Sequence, residues 1–166
     1  MTEPPEEQPI PDIRTWLSAR VQILAWELNR QMANLVRDYF GLTMPEWRII
    51  ANLAAHDGVS VQTLAQLTGM DKAQVSRTVT SLALSNTIAR EADPSDGRAV
   101  LLHLTDKGNA LFAQIEPVST ARRDWLSTLA DNDDIETFSR VADILIDGLR
   151  NAPDLKPIGR TKDGTA

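Results

Sequence analysis

The sequence contains no cysteine among its 166 residues. This absence excludes disulfide bonds, thiolate metal sites and cysteine-based redox sensing within the chain. Only two histidines are present, His56 and His103, and neither has carboxylates at a spacing typical of a metal site. We therefore expect neither a metal nor any other cofactor.

Long apolar runs are also missing, since no stretch approaches the ~20 residues that a membrane-spanning helix needs. The N-terminal stretch MTEPPEEQPIP is acidic and proline-rich, unlike the basic start of a signal peptide. The sequence has no glycine-rich phosphate loop and no nucleophile motif, and its two histidines lie far apart. These features predict a soluble cytoplasmic protein that is not an enzyme and has no membrane partner.

The chain lacks an excess of basic residues, and its formal net charge is −6. That charge argues against a generic nucleic-acid binder. The acidity is uneven, because residues 60–105 hold four basic and four acidic side chains, whereas residues 106–150 hold five basic and nine acidic ones. DNA binding by the neutral middle segment therefore requires its basic side chains to share one face.

Three long amphipathic helices are predicted from the spacing of apolar residues, over residues 12–40, 105–129 and 133–150. Together they have more apolar surface than a small domain can cover, which favours burial in an oligomer. Residues 1–11 and 151–166 are predicted to form flexible tails because they are rich in proline, glycine or charge. The overall composition, 42% hydrophobic and 24% charged, is that of a globular protein.

The most informative stretch is residues 60–105, which predicts two short helices followed by a hairpin. Ser60 and Asp71 stand where helix N-caps are expected, and Gly69 separates the two helices. Two predicted strands, 87–92 and 99–104, flank a link made of turn residues. A helix-turn-helix followed by a hairpin can place one helix in a DNA groove and a loop beside it.

The second of these helices has an apolar side and a polar side. At ~100° per residue, Val75, Val79 and Leu82 share one side, opposite small and polar residues that allow close approach to DNA. Arg77 is the predicted reader of guanine, and Gln74 could read adenine. The other candidate DNA contacts suit phosphate or base edges: Ser60, Gln62, Thr63, Lys72, Ser76 and Thr80.

The hairpin loop adds Arg98, which follows Asp96 and a glycine. A single arginine at a hairpin tip can enter a narrow minor groove, and Asp96 is expected to orient it by a paired hydrogen bond. Plainer interpretations stay open, because a Ser/Thr-rich helix face is also typical of a solvated surface and a turn arginine is often simply exposed. The capped helices and the hairpin together favour DNA binding.

These residues resemble the MarR family of bacterial winged-helix regulators. The matching stretches are LTMPEWRIIANLA, SVQTLAQLTGMDKAQVSRTVTSL and IAREADPSDGRAVLLHLTDKG. One departure is Asn86, where many members have glycine, and asparagine can form the same left-handed helix cap.

The resemblance implies a mainly α fold with a small β-hairpin wing, of the α+β class. Residues 41–104 would form a winged helix-turn-helix DNA-binding domain, and residues 12–40 and 105–150 a helical dimerisation domain. The homodimer would present its recognition helices about one DNA turn, ~34–36 Å, apart to a pseudo-palindromic stretch of double-stranded DNA.

The resemblance further implies a small-molecule switch, in which an aromatic or phenolic acid binds between the dimer helices and the winged domain and weakens DNA binding. The sequence offers aromatic, basic or titratable candidates for that site: Trp16, Arg20, Trp26, Trp47, Arg48 and His103. Packing in the core or the dimer is the alternative for each tryptophan. Solvated surface is the alternative for His103, because it alternates with two leucines in a strand.

The prediction is therefore a sequence-specific, DNA-binding transcriptional regulator, a homodimeric repressor released by a small ligand. The alternative is a winged-helix protein-interaction module, without sequence-specific DNA binding, whose acidic helical body binds a partner. Salt dependence separates the two, because binding through phosphates weakens steeply as salt rises.

Overall fold

A computed structural model of the chain describes residues 12–93 and 100–153. In chain order these residues form α1 (Leu17–Phe40), α2 (Met44–Ala55), α3 (Val61–Thr68), α4 (Lys72–Leu84), β1 (Ile88–Ala92), β2 (Val100–Leu104), α5 (Asp106–Leu126) and α6 (Asn132–Arg150). The mainly helical fold with one antiparallel hairpin confirms the predicted fold class. Two compact units are present, one ending at residue 117 and one starting at residue 118.

The predicted first helix is wrong at its start, because the backbone leaves the helical region at Trp16 (φ −70°, ψ 143°). A short 3-10 turn, Ile13–Thr15, precedes it and is closed by Asp12, whose carboxylate accepts the Arg14 N–H at 3.0 Å. The Arg14 guanidinium donates to Oδ1 through Nε and to Oδ2 through Nη2, which holds the pKa of Asp12 below its ordinary value. α1 proper therefore begins at Leu17.

α2 begins with a capping box. The Thr43 hydroxyl accepts the Glu46 N–H at 3.4 Å, and Glu46 Oε2 accepts the Thr43 N–H at 2.9 Å. Pro45 lies in the first turn, where its missing N–H would have no intrahelical partner. The chain turns after the helix at Gly58, whose φ is +71°.

The core of the first unit lies among α1, α2, α3, α4, the hairpin and the start of α5. Its fully enclosed side chains come from all of these elements: Val36, Ile49, Ile50, Leu53, Leu64, Val75, Val79, Leu82, Leu102 and Ile115. Ala54 and Leu67, apolar residues near the ends of their helices, are exposed. Met32 and Val36 of α1 also belong to this core, so α1 packs on the winged domain of its own chain. The assignment of residues 12–40 to dimerisation stays a prediction.

The hairpin is fastened to the segment before α3. β1 and β2 pair antiparallel, with Arg90 opposite Leu102. Leu102 also bridges Val59, donating its N–H to the Val59 carbonyl at 3.0 Å and accepting the Gly58 N–H at 3.2 Å. β1 starts one residue later than predicted, at Ile88. The predicted strand start at Ala99 lies outside the described residues.

A compact joint connects the end of α4, the start of β1 and the start of α5. The Thr105 hydroxyl, just before α5, accepts the Gly108 N–H at 3.1 Å and donates to the Asn86 carbonyl at 2.8 Å. Asn86 has the predicted left-handed conformation, with φ +55°. A Cβ on Gly108 would lie 2.3 Å from the Thr87 carbonyl oxygen, so only glycine fits at this position.

The second unit holds the end of α5 and all of α6. α5 ends at Leu126, three residues earlier than predicted, and α6 begins at Asn132, one residue earlier. No residue of α6 is buried, so its apolar side is open in the single chain. None of the helices within residues 12–93 and 100–153 is long and apolar enough to cross a membrane.

We predict that Gly108→Ala destabilises the fold by about 1–3 kcal/mol, because the added methyl group meets backbone that cannot move freely. Urea denaturation at one fixed protein concentration measures the change. The matched control is Gly148→Ala on α6, where a Cβ has no atom within 4 Å and alanine is expected to be neutral or stabilising. Equal stability of the two variants would contradict the tight joint.

Candidate nucleic-acid interface

The two helices that make up the helix-turn-helix are both capped by their own sequence. Ser60 Oγ accepts the Thr63 N–H at 3.1 Å at the start of α3. Asp71 accepts the Gln74 N–H at 2.9 Å at the start of α4. Between them Gly69 has φ +66°, a left-handed conformation that ends α3. The turn between the helices is therefore set locally, as predicted.

α4 is packed into the core along one side. Its apolar residues Val75, Val79 and Leu82 are at most 2% exposed and pack in the core. The opposite side, which includes Arg77 and Ser81, is exposed. An α-helix fixed along one stripe in this way presents the other stripe in a single orientation.

Three of the predicted DNA contacts are exposed and unengaged on α4. Within residues 12–93 and 100–153, no hydrogen bond or ion pair involves the side chains of Lys72, Ser76 or Arg77. Their donors are therefore available to a partner in solution. Gln62 on α3 is exposed as well.

Other predicted DNA contacts are half-buried or already make hydrogen bonds within the protein. Ser60 Oγ and Thr63 Oγ1 lie 3.0 Å apart, and both residues are half-buried. Gln74 is half-buried and lines a cleft behind α4 instead of its outer face. The Thr80 hydroxyl donates to the Ser76 carbonyl at 2.9 Å and accepts from Arg90 at 2.9 Å.

The loop candidates Asp96 and Arg98 lie outside the described residues. Their proposed pairing and minor-groove role therefore stay predictions from sequence.

Two residues that the sequence did not single out brace α4. Arg90 reaches from β1 to Thr80, as its position two residues after the buried Ile88, on the same side of the strand, could have indicated. Glu46, whose Oε2 serves the capping box of α2, accepts a hydrogen bond from Ser81 through Oε1 at 3.1 Å. These contacts join α4 to the hairpin on one side and to α2 on the other.

Two of the six candidate ligand residues lie at neighbouring clefts in the first unit. Trp26 lines a cleft of about 260 Å³ and stacks with Arg30, whose guanidinium carbon is 5.1 Å from the ring centre. Arg48 lines a second cleft of about 190 Å³ and donates to Asn29 Oδ1 at 2.7 Å. Asn29 and Met44 line both clefts.

The other four candidates lie elsewhere. Trp47 is 8% exposed and stacks on Phe112, with ring centres 6.1 Å apart, so it is a core residue as the alternative allowed. Trp16 and Arg20 are exposed and line neither cleft.

His103, for which solvated surface is the alternative, is half-buried. Its side chain is 24% exposed, and its Nδ1 lies 3.0 Å from the Asp57 carboxylate. Glu91 lies 3.9 Å from its Nε2. The ring packs over Gly58, where a Cβ would approach it to 3.2 Å. The tight turn before α3 therefore covers part of the His103 ring. Alternation along the strand could not predict this burial, because it comes from another segment of the chain.

A metal centre is not formed by the part of the chain that is described, since no group of three His, Asp or Glu side chains there could hold an ion.

Comparison with known proteins supports the predicted resemblance. The family model described as MarR family matches residues 40–99. MgrA of Staphylococcus aureus, an HTH-type transcriptional regulator, is 27% identical over 93 residues, which are 56% of this chain and 63% of MgrA, under two thirds of that relative.

Solved structures share the fold over most of this chain. A MarR/EmrR family regulator from Acinetobacter sp. ADP1 has a TM-score of 0.79 and 26% identity, covering 86% of this chain and all of the other. MepR of S. aureus, solved in complex with DNA, has a TM-score of 0.71 and 20% identity, covering 81% of this chain and 98% of MepR. Members of this family are transcriptional regulators, so the prediction that the chain is not an enzyme is confirmed. The chain is thus similar to MarR family regulators, in sequence over residues 40–99 and in fold over most of its length.

Proposed function

We propose that the chain is a sequence-specific DNA-binding transcriptional regulator that acts through the outer side of α4. The observation that carries this proposal is the set of exposed, unengaged side chains Lys72, Ser76 and Arg77 on a helix whose opposite side is buried. MepR, which has the same fold, binds DNA in its solved complex. A protein that binds the chromosome works in the cytoplasm, in line with the location predicted from the sequence.

The side chains of α4 have separable tasks in this proposal. Arg77 can donate two hydrogen bonds to O6 and N7 of a guanine in the major groove. Lys72, in the first turn, suits a phosphate, and Ser76 suits a phosphate or a base edge. The N-terminus of α3 offers backbone N–H groups to a second phosphate, beside Gln62. Arg98, oriented by Asp96, would add a minor-groove contact from the loop of the hairpin.

Homodimerisation is part of the proposal, and the exposed apolar side of α6 supports it. Phe138 and Leu145 are 50% and 39% exposed in the single chain, and Leu149 is 75% exposed. At ~100° per residue these side chains share one side of the helix. A contiguous apolar side of this kind is typically covered by a partner. A two-fold partner would give the DNA site its pseudo-palindromic symmetry.

Repression released by a small acid is the finer part of the proposal. Arg48 of the second cleft can bind a carboxylate by two parallel hydrogen bonds, whereas Arg30 of the first cleft already pairs with Glu27. Gln74 of α4 lines the same cleft, so a ligand bound there would touch the helix that contacts DNA. The cleft volumes of about 190 and 260 Å³ suit only a small molecule.

We predict that Arg77→Ala relaxes base preference, with a loss of about 1–3 kcal/mol at one base pair, because it removes the guanine contact. Lys72→Ala should weaken binding equally on all sequences. Both are measured by anisotropy on a duplex selected from a random library and on its scrambled version. Arg140→Ala on α6 removes the same charge as a control. A wild-type chain that shows no preference for the selected duplex at moderate salt would refute the function.

We predict that the chain sediments with twice its mass of 18.3 kDa. Leu145→Glu should give the single mass, because it buries a charge in the apolar interface. Arg140→Glu introduces the same residue on the polar side of α6 and should leave the dimer intact. A wild-type chain at the single mass at micromolar concentration would contradict the interface.

We predict that a small aromatic or phenolic acid lowers the affinity for the selected duplex, and that Arg48→Ala abolishes this response. Titration of a panel of hydroxybenzoic acids into the protein–DNA complex measures it by anisotropy. Arg20→Ala, which removes an arginine that lines neither cleft, should respond as wild type does. An equal loss of response in both variants would exclude Arg48 as the specific anchor.

A further inference from the structure

We propose that Arg90 on β1 is a further DNA-backbone contact, and that Thr80 holds it in place instead of contacting DNA itself. The inference rests on the proposed DNA binding through α4. It adds the hairpin strand to the interface and changes the role predicted for Thr80.

The hydrogen bonds of Thr80 define its role. Its hydroxyl has one proton, which it donates to the Ser76 carbonyl at 2.9 Å. The same oxygen accepts a hydrogen bond from Arg90 Nη2 at 2.9 Å. Thr80 therefore has no proton left to donate to a phosphate or a base acceptor. Only one lone pair of its hydroxyl oxygen remains without a hydrogen bond. Thr80 is a positioning residue.

The location of Arg90 follows from the register of the hairpin. Arg90 lies opposite Leu102, which is fully buried, so both occupy the side of the hairpin that faces the core. Ile88, two residues earlier on the same side, is buried, whereas Arg90 is exposed. Its guanidinium thus emerges where the hairpin meets α4. Thr80 follows Arg77 by three residues, so Arg90 lies beside the same outer surface.

The charge of Arg90 is available to a partner. In the described residues, ion pairs join Arg14, Arg30 and Arg37 to carboxylates, whereas Arg90 has only the neutral Thr80 hydroxyl. Its neighbour Glu91 points to the other side of the strand, towards His103. A guanidinium has five N–H donors, and one hydrogen bond leaves most of them free for phosphate oxygens.

The test is the salt dependence of binding to the selected duplex, measured as the slope of log affinity against log salt. Arg90→Gln should reduce the steepness of the slope by about 0.9 for each bound protomer, because one phosphate contact is lost. Arg90→Lys should restore the slope. Arg140→Gln on α6 is the matched loss of charge and should leave it unchanged. Thermal melting by circular dichroism checks that each variant is folded.

Thr80→Val separates positioning from contact. It should weaken binding while leaving both the slope and the base preference as in the wild type. An unchanged slope in Arg90→Gln, or equal weakening by Arg90→Gln and Arg90→Lys with the slope unchanged, would overturn the phosphate contact. A changed base preference in Thr80→Val would overturn its positioning role. If the wild-type chain itself shows no salt-dependent binding, the proposed function fails. If the wild type binds but Arg90→Gln leaves the slope unchanged, only the proposed role of Arg90 fails.

Discussion

Burial of one stripe of α4 is the constraint on which the candidate interface depends. Val75, Val79 and Leu82 are enclosed by neighbouring helices and the hairpin. Burying a side chain of this size contributes about 1.5–3 kcal/mol, more than any single exposed hydrogen bond on the surface of the helix. Rotation of α4 about its axis would expose this stripe. The orientation of Arg77 is therefore set by packing, since within residues 12–93 and 100–153 its side chain makes no hydrogen bond or ion pair.

The polar contacts around α4 refine this orientation. Asp71 caps the N-terminus of α4, while Glu46 of α2 contacts Ser81 and Arg90 of β1 contacts Thr80. Each is exposed and worth only ~0.5–1.5 kcal/mol. Their common effect is to couple the helix, the hairpin and α2, so that a displacement of α2 or the hairpin reaches the surface that would contact DNA. The cleft lined by Arg48 lies next to α4, since Gln74 of α4 also lines it.

Local signals predicted the parts of this structure that local chemistry determines. The caps at Ser60 and Asp71, and the left-handed Asn86, each depend on residues within a few positions of themselves. Features that depend on distant segments were less predictable. The tight turn at Gly58 covers part of the His103 ring. Trp47 stacks on Phe112 in the core. Gln74 lines a cleft and is half-buried. Arg90 was missed because its importance comes from a residue ten positions away on another element.

The net charge of residues 60–105 is zero, which is compatible with DNA binding only if the basic side chains face outward together. Lys72, Arg77 and Arg90 do so on the described surface. Methylation interference on the bound duplex tests this account most directly, because N7 of guanine lies in the major groove and N3 of adenine in the minor groove. The account predicts that guanine methylation blocks binding in two clusters about one DNA turn apart. Interference from adenine N3 alone, or from neither base, would contradict it.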